Sequence, residues 1–212
     1  MDFENFVSHA IKTESVIDAK ERPVNLKMFR NIIKLTVKSA QLADMLKKGF
    51  FYNKSYDIDA VRLVLEEINA LSSTLWGQFY QVYGDEQGKS EGNPFKGQDV
   101  IPFNTRVLHG ILGYFTESGE MLEFLDRALD DPEMMPDYVN LREEIGDIDW
   151  YKAILFDAMS FLNPNLEFHE GKIREIIINK LKARYGDKFD EQAAENRNLT
   201  AERQILEEKQ KS

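Results

Sequence analysis

The fold is decided by the segment FNTRVLHGILGYFTESGEMLEFLDRAL, residues 103–129. Its apolar residues recur three or four positions apart, which is the spacing of one face of an α-helix. This stripe contains Leu108, Ile111, Leu112, Phe115, Leu122 and Leu125. Proline is common just outside the ends of a helix, and Pro102 precedes the segment while Pro132 follows it. The segment is therefore predicted to be one long amphipathic helix.

Helical spacing extends over most of the 212-residue chain, and no segment alternates with a period of two over a convincing length. Helices are predicted at residues 2–12, 25–48, 57–83, 103–129, 138–162, 167–185 and 198–210. The stretch GDEQGKSEGNPFKGQD, residues 84–99, is rich in glycine and charge and is typical of a surface linker. The sequence predicts an all-α helical bundle with a first half at 1–83, a linker at 84–101 and a second half at 102–212. The two halves are expected to pack as one unit.

The composition of the chain argues against several classes of function. Asp and Glu number 37 against 27 Lys and Arg, so the net charge of −10 repels a nucleic-acid backbone and argues against nucleic-acid binding. No apolar run approaches the ~18 residues of a membrane span, and the acidic start MDFENF is unlike a signal peptide, which predicts a cytoplasmic protein with no membrane partner. The chain has no Cys and three scattered His, so oxygen ligands are expected for any bound metal.

The two halves look like copies of one helical hairpin. The segment KLTVKSAQLADML, residues 34–46, aligns with GYFTESGEMLEFL, residues 113–125, and VLEEINAL, residues 64–71, aligns with LREEIGDI, residues 141–148. An internal duplication is therefore predicted.

The second copy carries two pairs of acids. Glu117 and Glu120 lie one turn apart on one helix, and Glu144 and Asp147 repeat that spacing on the next helix. An antiparallel hairpin would bring both pairs to the same level, where four unpaired carboxylates would repel one another. Such a group is suited to hard divalent cations, and we expect it to bind Mg²⁺, with Mn²⁺ as a substitute. The alternative is that these acids form the solvated faces of a highly charged helical protein.

The first copy has lost three of these four acids. At the corresponding positions it contains Lys38, Gln41, Glu67 and Ala70. If the acids are functional, the second copy keeps a cation site that the first copy lacks.

Four blocks of the second half resemble one known family. They are, in order, RVLHGILGYFTESGEMLEFL, NLREEIGDIDWY, KLKARYGDKF and NRNLTAER, and the resemblance extends over about residues 103–206. They resemble the MazG-like, all-α nucleoside triphosphate pyrophosphohydrolases, whose signature is E-x-x-E followed by E-x-x-D. The resemblance implies that Glu117, Glu120, Glu144 and Asp147 are the catalytic acids and bind Mg²⁺. It also implies that Lys180, Arg184 and Tyr185 contact a triphosphate.

The first half resembles a diverged member of the same family. Its segment MLKKGFFYNKSYDID, residues 45–59, is similar to the family's basic turn, whereas the turn of the second copy, FLDRALDDPEMMPD, lacks the Lys-Lys pair. The second half also departs from the family at Ile177, three residues before Lys180, where the family often has Asn. We hypothesise that Lys47, Lys48 and Lys54 help to hold the substrate phosphates over the acid-rich copy. The alternative is that they are ordinary surface lysines in a turn.

The activity that the resemblance implies is Mg²⁺-dependent conversion of a (d)NTP and water into (d)NMP and pyrophosphate, in the control of nucleotide pools. Members of the family resemble dimers of hairpins, so a homo-oligomer and an internal pseudo-dimer both remain open. The alternative function is a non-catalytic helical interaction module that binds nucleotide and metal. The chain contains no G-x-x-x-x-G-K-[ST] and no G-x-G-x-x-G, so the motifs of P-loop ATPases and Rossmann enzymes are missing.

Overall fold

The computed structural model describes residues 2–83, 95–131, 133 and 135–208. Over these residues the chain forms helices and isolated β-bridges but no strand, and the prediction of an all-α helical bundle is confirmed. The helices are α1 (Phe3–Thr13), α2 (Leu26–Tyr52), α3 (Ile58–Tyr83), α4 (Thr105–Asp130), α5 (Tyr138–Leu162), α6 (Glu170–Tyr185), α7 (Glu191–Glu195) and α8 (Leu199–Glu208). The short α7 was not predicted, and the predicted end of the last helix, residues 209–210, lies outside the described residues. None of the described helices combines the length and the apolar character that crossing a membrane requires.

Side chains just before the helices fix where they begin. The Asn104 side chain accepts hydrogen bonds from the backbone N–H groups of Arg106 and Val107 at 3.0 and 3.1 Å. Asp137 does the same at the start of α5 for Val139 and Asn140, at 3.1 and 3.0 Å. Because a capping residue has non-helical dihedrals, α4 begins after Asn104 and not at residue 103 as predicted.

The N-terminal hairpin consists of α2 and α3. Asn31 near the start of α2 donates a hydrogen bond to Gln78 near the end of α3 at 3.2 Å, and Lys38 further along α2 forms an ion pair with the earlier residue Glu67. This reversal of order shows that the two helices are antiparallel. Asn53, with φ of 49°, ends α2 in the left-handed conformation.

The C-terminal hairpin consists of α4 and α5, which approach closely at two glycines. A Cβ atom on Gly110 would lie 2.8 Å from the Leu155 Cβ, and a Cβ on Gly113 would lie 2.0 Å from the Tyr151 Cε1. Both glycines are buried. Their missing side chains allow α5 to lie against α4 at this level, next to the fully buried Ile154.

The contacts divide the chain into two compact units. One comprises Met1–Ile17 and Phe103–Ser212, and the other comprises Asp18–Pro102. The division expected from the sequence placed residues 1–17 in the first half, whereas their contacts are with α4 and α5. Phe3 packs edge-on against Phe156 at 5.7 Å between ring centroids, and Arg106 binds the buried Glu14 at 2.6 Å and Asp157 at 2.7 Å.

Most of the predicted linker, residues 84–94, lies outside the described residues. The remaining part is hydrogen-bonded to the segment before α2: the N–H of Val24 donates to the Asp99 carbonyl at 2.8 Å, and the Asp99 N–H donates back at 3.0 Å. A Cβ on Gly97 would lie 2.3 Å from the Val24 carbonyl oxygen. Residues 95–99 are therefore attached to the N-terminal hairpin through backbone contacts that a glycine permits.

Candidate functional site

Three of the four acids of the second copy converge between α4 and α5. Glu117, Glu120 and Glu144 each offer one carboxylate oxygen, and these oxygens all lie within 4.8 Å of one another. The group formed by these three residues is called the acidic cluster below. Asp147 is not a member of it and is exposed on α5, one turn beyond Glu144. The spacing of the acids therefore predicted correctly that Glu117, Glu120 and Glu144 come together, whereas Asp147 lies outside the acidic cluster.

The members of the acidic cluster differ in their contact with solvent. Glu144 is 5% exposed, Glu117 is half-buried and Glu120 is exposed. The amide of Asn140, one turn earlier on α5, donates a hydrogen bond to the Glu144 Oε1 at 2.9 Å. The hydroxyl of Thr116 donates to the Glu117 Oε1 at 3.2 Å. Glu144 is thus fixed from within the hairpin, while Glu120 faces water.

Burial and mutual repulsion raise the pKa values of two of these acids. The pKa of Glu144 is raised by burial first, and then by the negative charge of Glu117 and a hydrogen bond between the two carboxyl groups. The pKa of Glu120 is raised mainly by the charge of Glu144, with a smaller contribution from Asp147. Both shifts have the sign expected when carboxylates share a site without a counterion. The acidic cluster therefore favours the uptake of positive charge, either a proton or a metal ion.

A divalent cation matches the chemistry of the acidic cluster. Mg²⁺ and Mn²⁺ bind carboxylate oxygens, and Mg²⁺ commonly uses only a few carboxylates and keeps several waters. Glu117, Glu120 and Glu144 supply three such ligands, with the exposed Glu120 and Asp147 on the solvent side. The residues present therefore fit a hard cation that remains accessible to a ligand from solution.

Tyr151 belongs to the surroundings of the acidic cluster. Its ring lies over Gly113 and contacts His109 edge-on at 5.4 Å between centroids. Burial raises the pKa of its hydroxyl, as do the charges of Glu117, Asp147 and Glu120. Tyr151 is not among the site residues predicted from the sequence. Its position four residues after Asp147 was the available signal, because residues four apart lie on the same face of a helix.

The N-terminal hairpin has a different arrangement at the corresponding positions. Lys38, which aligns with Glu117, places its Nζ 2.6 Å from the Oε2 of Glu67, which aligns with Glu144. The two other aligned residues, Gln41 and Ala70, are exposed. Two carboxylates that repel each other in one hairpin are thus replaced by an ion pair in the other.

Arg184, one of the residues that the resemblance assigns to triphosphate binding, is held by a carboxylate of the chain. Its guanidinium donates to both oxygens of Glu202 at 2.7 and 2.6 Å, and to the Tyr185 hydroxyl at 3.3 Å. The Arg184 side chain is only 12% exposed. Lys180, one turn earlier on α6, is half-buried and forms no ion pair within the described part of the chain. Of Lys180, Arg184 and Tyr185, Lys180 is therefore the residue whose positive charge is not paired with a carboxylate of the described part of the chain.

The segment predicted as a basic turn lies at the end of α2 and just beyond it. Lys47 and Lys48 are on the last turns of α2, where both contact one acid, and Lys54 follows the helix. The Nζ of Lys47 lies 2.8 Å from the Asp44 Oδ1, and Lys48 forms an ion pair with the Oδ2 of the same residue. These contacts raise the pKa of Lys47 and lower that of Asp44. Lys48 and Lys54 border one small cavity of about 100 Å³ beside Tyr56. The turn is therefore a basic surface whose charge is partly neutralised by Asp44.

Comparison with protein-family models, with curated proteins and with solved structures finds no match to this chain. The resemblance of its four sequence blocks to MazG-like enzymes consequently stays a prediction.

Proposed function

We propose that the protein is an Mg²⁺-dependent nucleoside triphosphate pyrophosphohydrolase, which converts a (d)NTP and water into (d)NMP and pyrophosphate. The observation that carries this proposal is the convergence of the Glu117, Glu120 and Glu144 carboxylates within 4.8 Å on two antiparallel helices. These are three of the four acids in the E-x-x-E and E-x-x-D motifs. The resemblance of the four sequence blocks supplies the reaction and the substrate class.

Glu117, Glu120 and Glu144 would hold the cation, and Asp147 lies one turn further along α5. The bound cation would neutralise charge on the phosphate oxygens and make a nearby water more acidic. In the reaction, the water oxygen attacks the α-phosphorus, and the bond from this phosphorus to the oxygen bridging it to the β-phosphorus breaks, so pyrophosphate leaves. We assign uptake of the water's proton to Glu120, because it is the member of the acidic cluster that is exposed to solvent.

Positive side chains of the protein are also needed for a triphosphate. Lys180 is the best candidate among the predicted residues, because Arg184 is already bound by Glu202. We propose that Lys180 contacts the phosphates and that Arg184 acts indirectly by fixing α6 against α8. This division differs from the expectation that both residues bind the substrate.

The proposal is tested by measuring pyrophosphate release from a panel of NTPs and dNTPs with Mg²⁺. Glu120→Gln is expected to lower kcat by at least about 100-fold, since it removes both a ligand and the proposed proton acceptor. Glu123→Gln is the matched control, because Glu123 is exposed one turn further along α4 and pairs with Arg127. Equal turnover by wild type and Glu120→Gln would contradict the proposal.

A second candidate function is a nucleotide- and metal-binding module without turnover. The observation that favours it is that Arg184, Lys47 and Lys48 are all paired with carboxylates of the chain, which lowers the positive charge offered to a triphosphate. In that case Mg²⁺ with nucleotide would raise the Tm of the protein, as binding to the folded state does, and no pyrophosphate would be released.

A further inference from the structure

The two hairpins have equivalent contacts across the seam between their helices. In the N-terminal hairpin Asn31 contacts Gln78 and Lys38 contacts Glu67. In the C-terminal hairpin the aligned pairs are Gly110 with Leu155 and Glu117 with Glu144. On the first helix of each hairpin, Asn31 aligns with Gly110 and Lys38 aligns with Glu117, both with the same offset in residue number. On the second helix, Gln78 aligns with Leu155 and Glu67 aligns with Glu144, again with one constant offset. The register of the hairpins is therefore the same at two levels, so Lys38 and Glu67 occupy the place of the acidic cluster.

We infer that the N-terminal hairpin contains a latent divalent-cation site, which the ammonium group of Lys38 occupies in place of a metal ion. This inference rests on the proposed cation site of the C-terminal hairpin. The Lys38 Nζ lies 2.6 Å from the Glu67 carboxylate. At the same level of the other hairpin, the ligand oxygens of three carboxylates lie within 4.8 Å of one another.

Charge explains why the two sites behave differently. Lys38 and Glu67 neutralise each other, and the other two aligned positions, Gln41 and Ala70, carry no charge. A divalent cation entering this place would meet the positive charge of Lys38 and a single carboxylate. The acidic cluster instead presents three carboxylates, and the charge of Asp147 also acts on it. The protein is therefore expected to bind one Mn²⁺ or Mg²⁺ ion at its C-terminal hairpin and none at its N-terminal hairpin.

Two glutamates at equivalent positions give the first test. Binding of Mn²⁺ alone to the full chain is followed by the loss of the electron paramagnetic resonance signal of the free ion. Glu144→Gln is expected to weaken binding at least tenfold, whereas Glu67→Gln leaves the affinity and the stoichiometry unchanged. Loss of a bound ion in Glu67→Gln would overturn the inference, because it would show that Glu67 already ligates a cation.

The second test opens the latent site. In a Glu144→Gln background, the substitutions Lys38→Glu, Gln41→Glu and Ala70→Asp restore all four acids to the N-terminal hairpin. This variant is expected to regain at least tenfold in Mn²⁺ affinity over its background. Lys34→Glu in the same background is the matched control, since it reverses a lysine one turn earlier on α2, and it should gain less than twofold.

Both tests separate the inference from the proposed function. A wild-type chain that binds no Mn²⁺ would remove the proposed site, while the three restored acids would still report on the N-terminal hairpin. If the variant with restored acids keeps its helical circular dichroism and gains no affinity, the inference is overturned. An equal gain in Lys34→Glu also overturns it, because the effect would then be general electrostatic attraction. If the variant with restored acids loses its fold, the comparison of Glu67→Gln with Glu144→Gln decides the inference.

Discussion

Arg184 on α6 and Glu202 on α8 form a two-point ion pair, in which Nε donates to Oε1 at 2.7 Å and Nη2 donates to Oε2 at 2.6 Å. Arg197 adds a third contact, from its Nη2 to the Glu202 Oε2 at 2.8 Å. The three residues come from two separate sequence blocks, KLKARYGDKF and NRNLTAER. The contact between these two blocks holds α8 against α6. Hydrogen bonds from Arg197 and Arg184 also lower the pKa of Glu202 to about 2.

Replacing Glu202 by Gln is expected to lower the Tm by roughly 4–8 °C at neutral pH, because the half-buried guanidinium group of Arg184 and the exposed one of Arg197 lose their carboxylate. The effect has a defined pH dependence. A carboxyl whose pKa is lower in the folded state stabilises the protein above its unfolded pKa, here near 4.5, and loses that effect as the pH falls towards 2. In thermal melts, the difference in Tm between the two proteins should therefore narrow as the pH is lowered from about 7 to about 3.

Glu207→Gln provides the control for this prediction. Glu207 lies on the same helix and pairs with Arg203, but both side chains are largely exposed. Exposed ion pairs between residues four apart on a helix, like this one, contribute only about 0.3–0.5 kcal/mol. The Tm of this variant should stay within about 2 °C of wild type. A loss as large as that of Glu202→Gln would show that any charge removed from α8 has the same effect.

The acidic cluster is expected to destabilise the protein when no divalent cation is present. The raised pKa values of Glu144 and Glu120 mean that the folded state resists their ionisation. This cost is absent below the ordinary pKa of 4.5 and grows as the pH rises through the folded values. In a chelating buffer at neutral pH, Glu144→Gln should therefore melt at a higher temperature than wild type, and the gap should close towards pH 4. Thermal melts across this range measure it.

Glu67→Gln should change the Tm in the opposite direction, because it removes the partner of Lys38 from a half-exposed ion pair. Addition of a divalent cation should also distinguish Glu67→Gln from Glu144→Gln. At a concentration about 100 times its Kd, a ligand stabilises the folded state by about 2.7 kcal/mol, which corresponds to about 5–10 °C here. Wild type and Glu67→Gln should show this rise with Mg²⁺, and Glu144→Gln should show about half of it or less, because its binding is expected to be at least tenfold weaker. A full rise in Glu144→Gln would place the cation elsewhere.

Two glycines on α4 are expected to respond oppositely to alanine. A Cβ on Gly113 would lie 2.0 Å from the Tyr151 ring, so Gly113→Ala should displace that ring and cost about 1–3 kcal/mol in the free energy of unfolding. A Cβ on Gly119 would meet nothing within 4 Å, so Gly119→Ala should instead gain about 0.5–1 kcal/mol from helix propensity. Denaturant unfolding measures both. A neutral Gly113→Ala variant would contradict the close packing of Tyr151 on α4.

Hydrophobic spacing was sufficient to predict the long helices, and capping residues mark the start of α4 and α5. The stripe on α4 and the caps Asn104 and Asp137 are local signals of this kind. The i, i+3 spacing of the acids also predicted that three of them would meet. Asp147 was expected to join them, but residues three apart are rotated by about 60° around a helix. Because Glu144 points into the seam and is buried, Asp147 is turned outward to solvent.

Other features depend on contacts between residues far apart in the sequence, and local patterns do not record these. The spacing of Lys180 and Arg184 suited a phosphate chain, and nothing near Arg184 indicated that Glu202 would bind it. The alignment of Lys38 with Glu117 showed that the first copy lacks this acid. The ion pair between Lys38 and Glu67 could not be predicted in this way, because it depends on how α2 packs against α3. Similarly, the attachment of residues 95–99 to Val24 depends on backbone hydrogen bonds that have no side-chain signature.

The basic turn provides the last prediction. If Lys47 and Lys48 bind substrate phosphates, replacing both with Ala should raise KM or lower kcat for a (d)NTP at least about tenfold, because two charge-assisted contacts are lost. Since both lysines are paired with Asp44, Asp44→Asn should release them and lower KM. Lys34→Ala, which removes an exposed lysine elsewhere on α2, should leave both constants within twofold of wild type. Steady-state pyrophosphate release measures all three variants. An unchanged double-alanine variant would show that the turn is an ordinary basic surface.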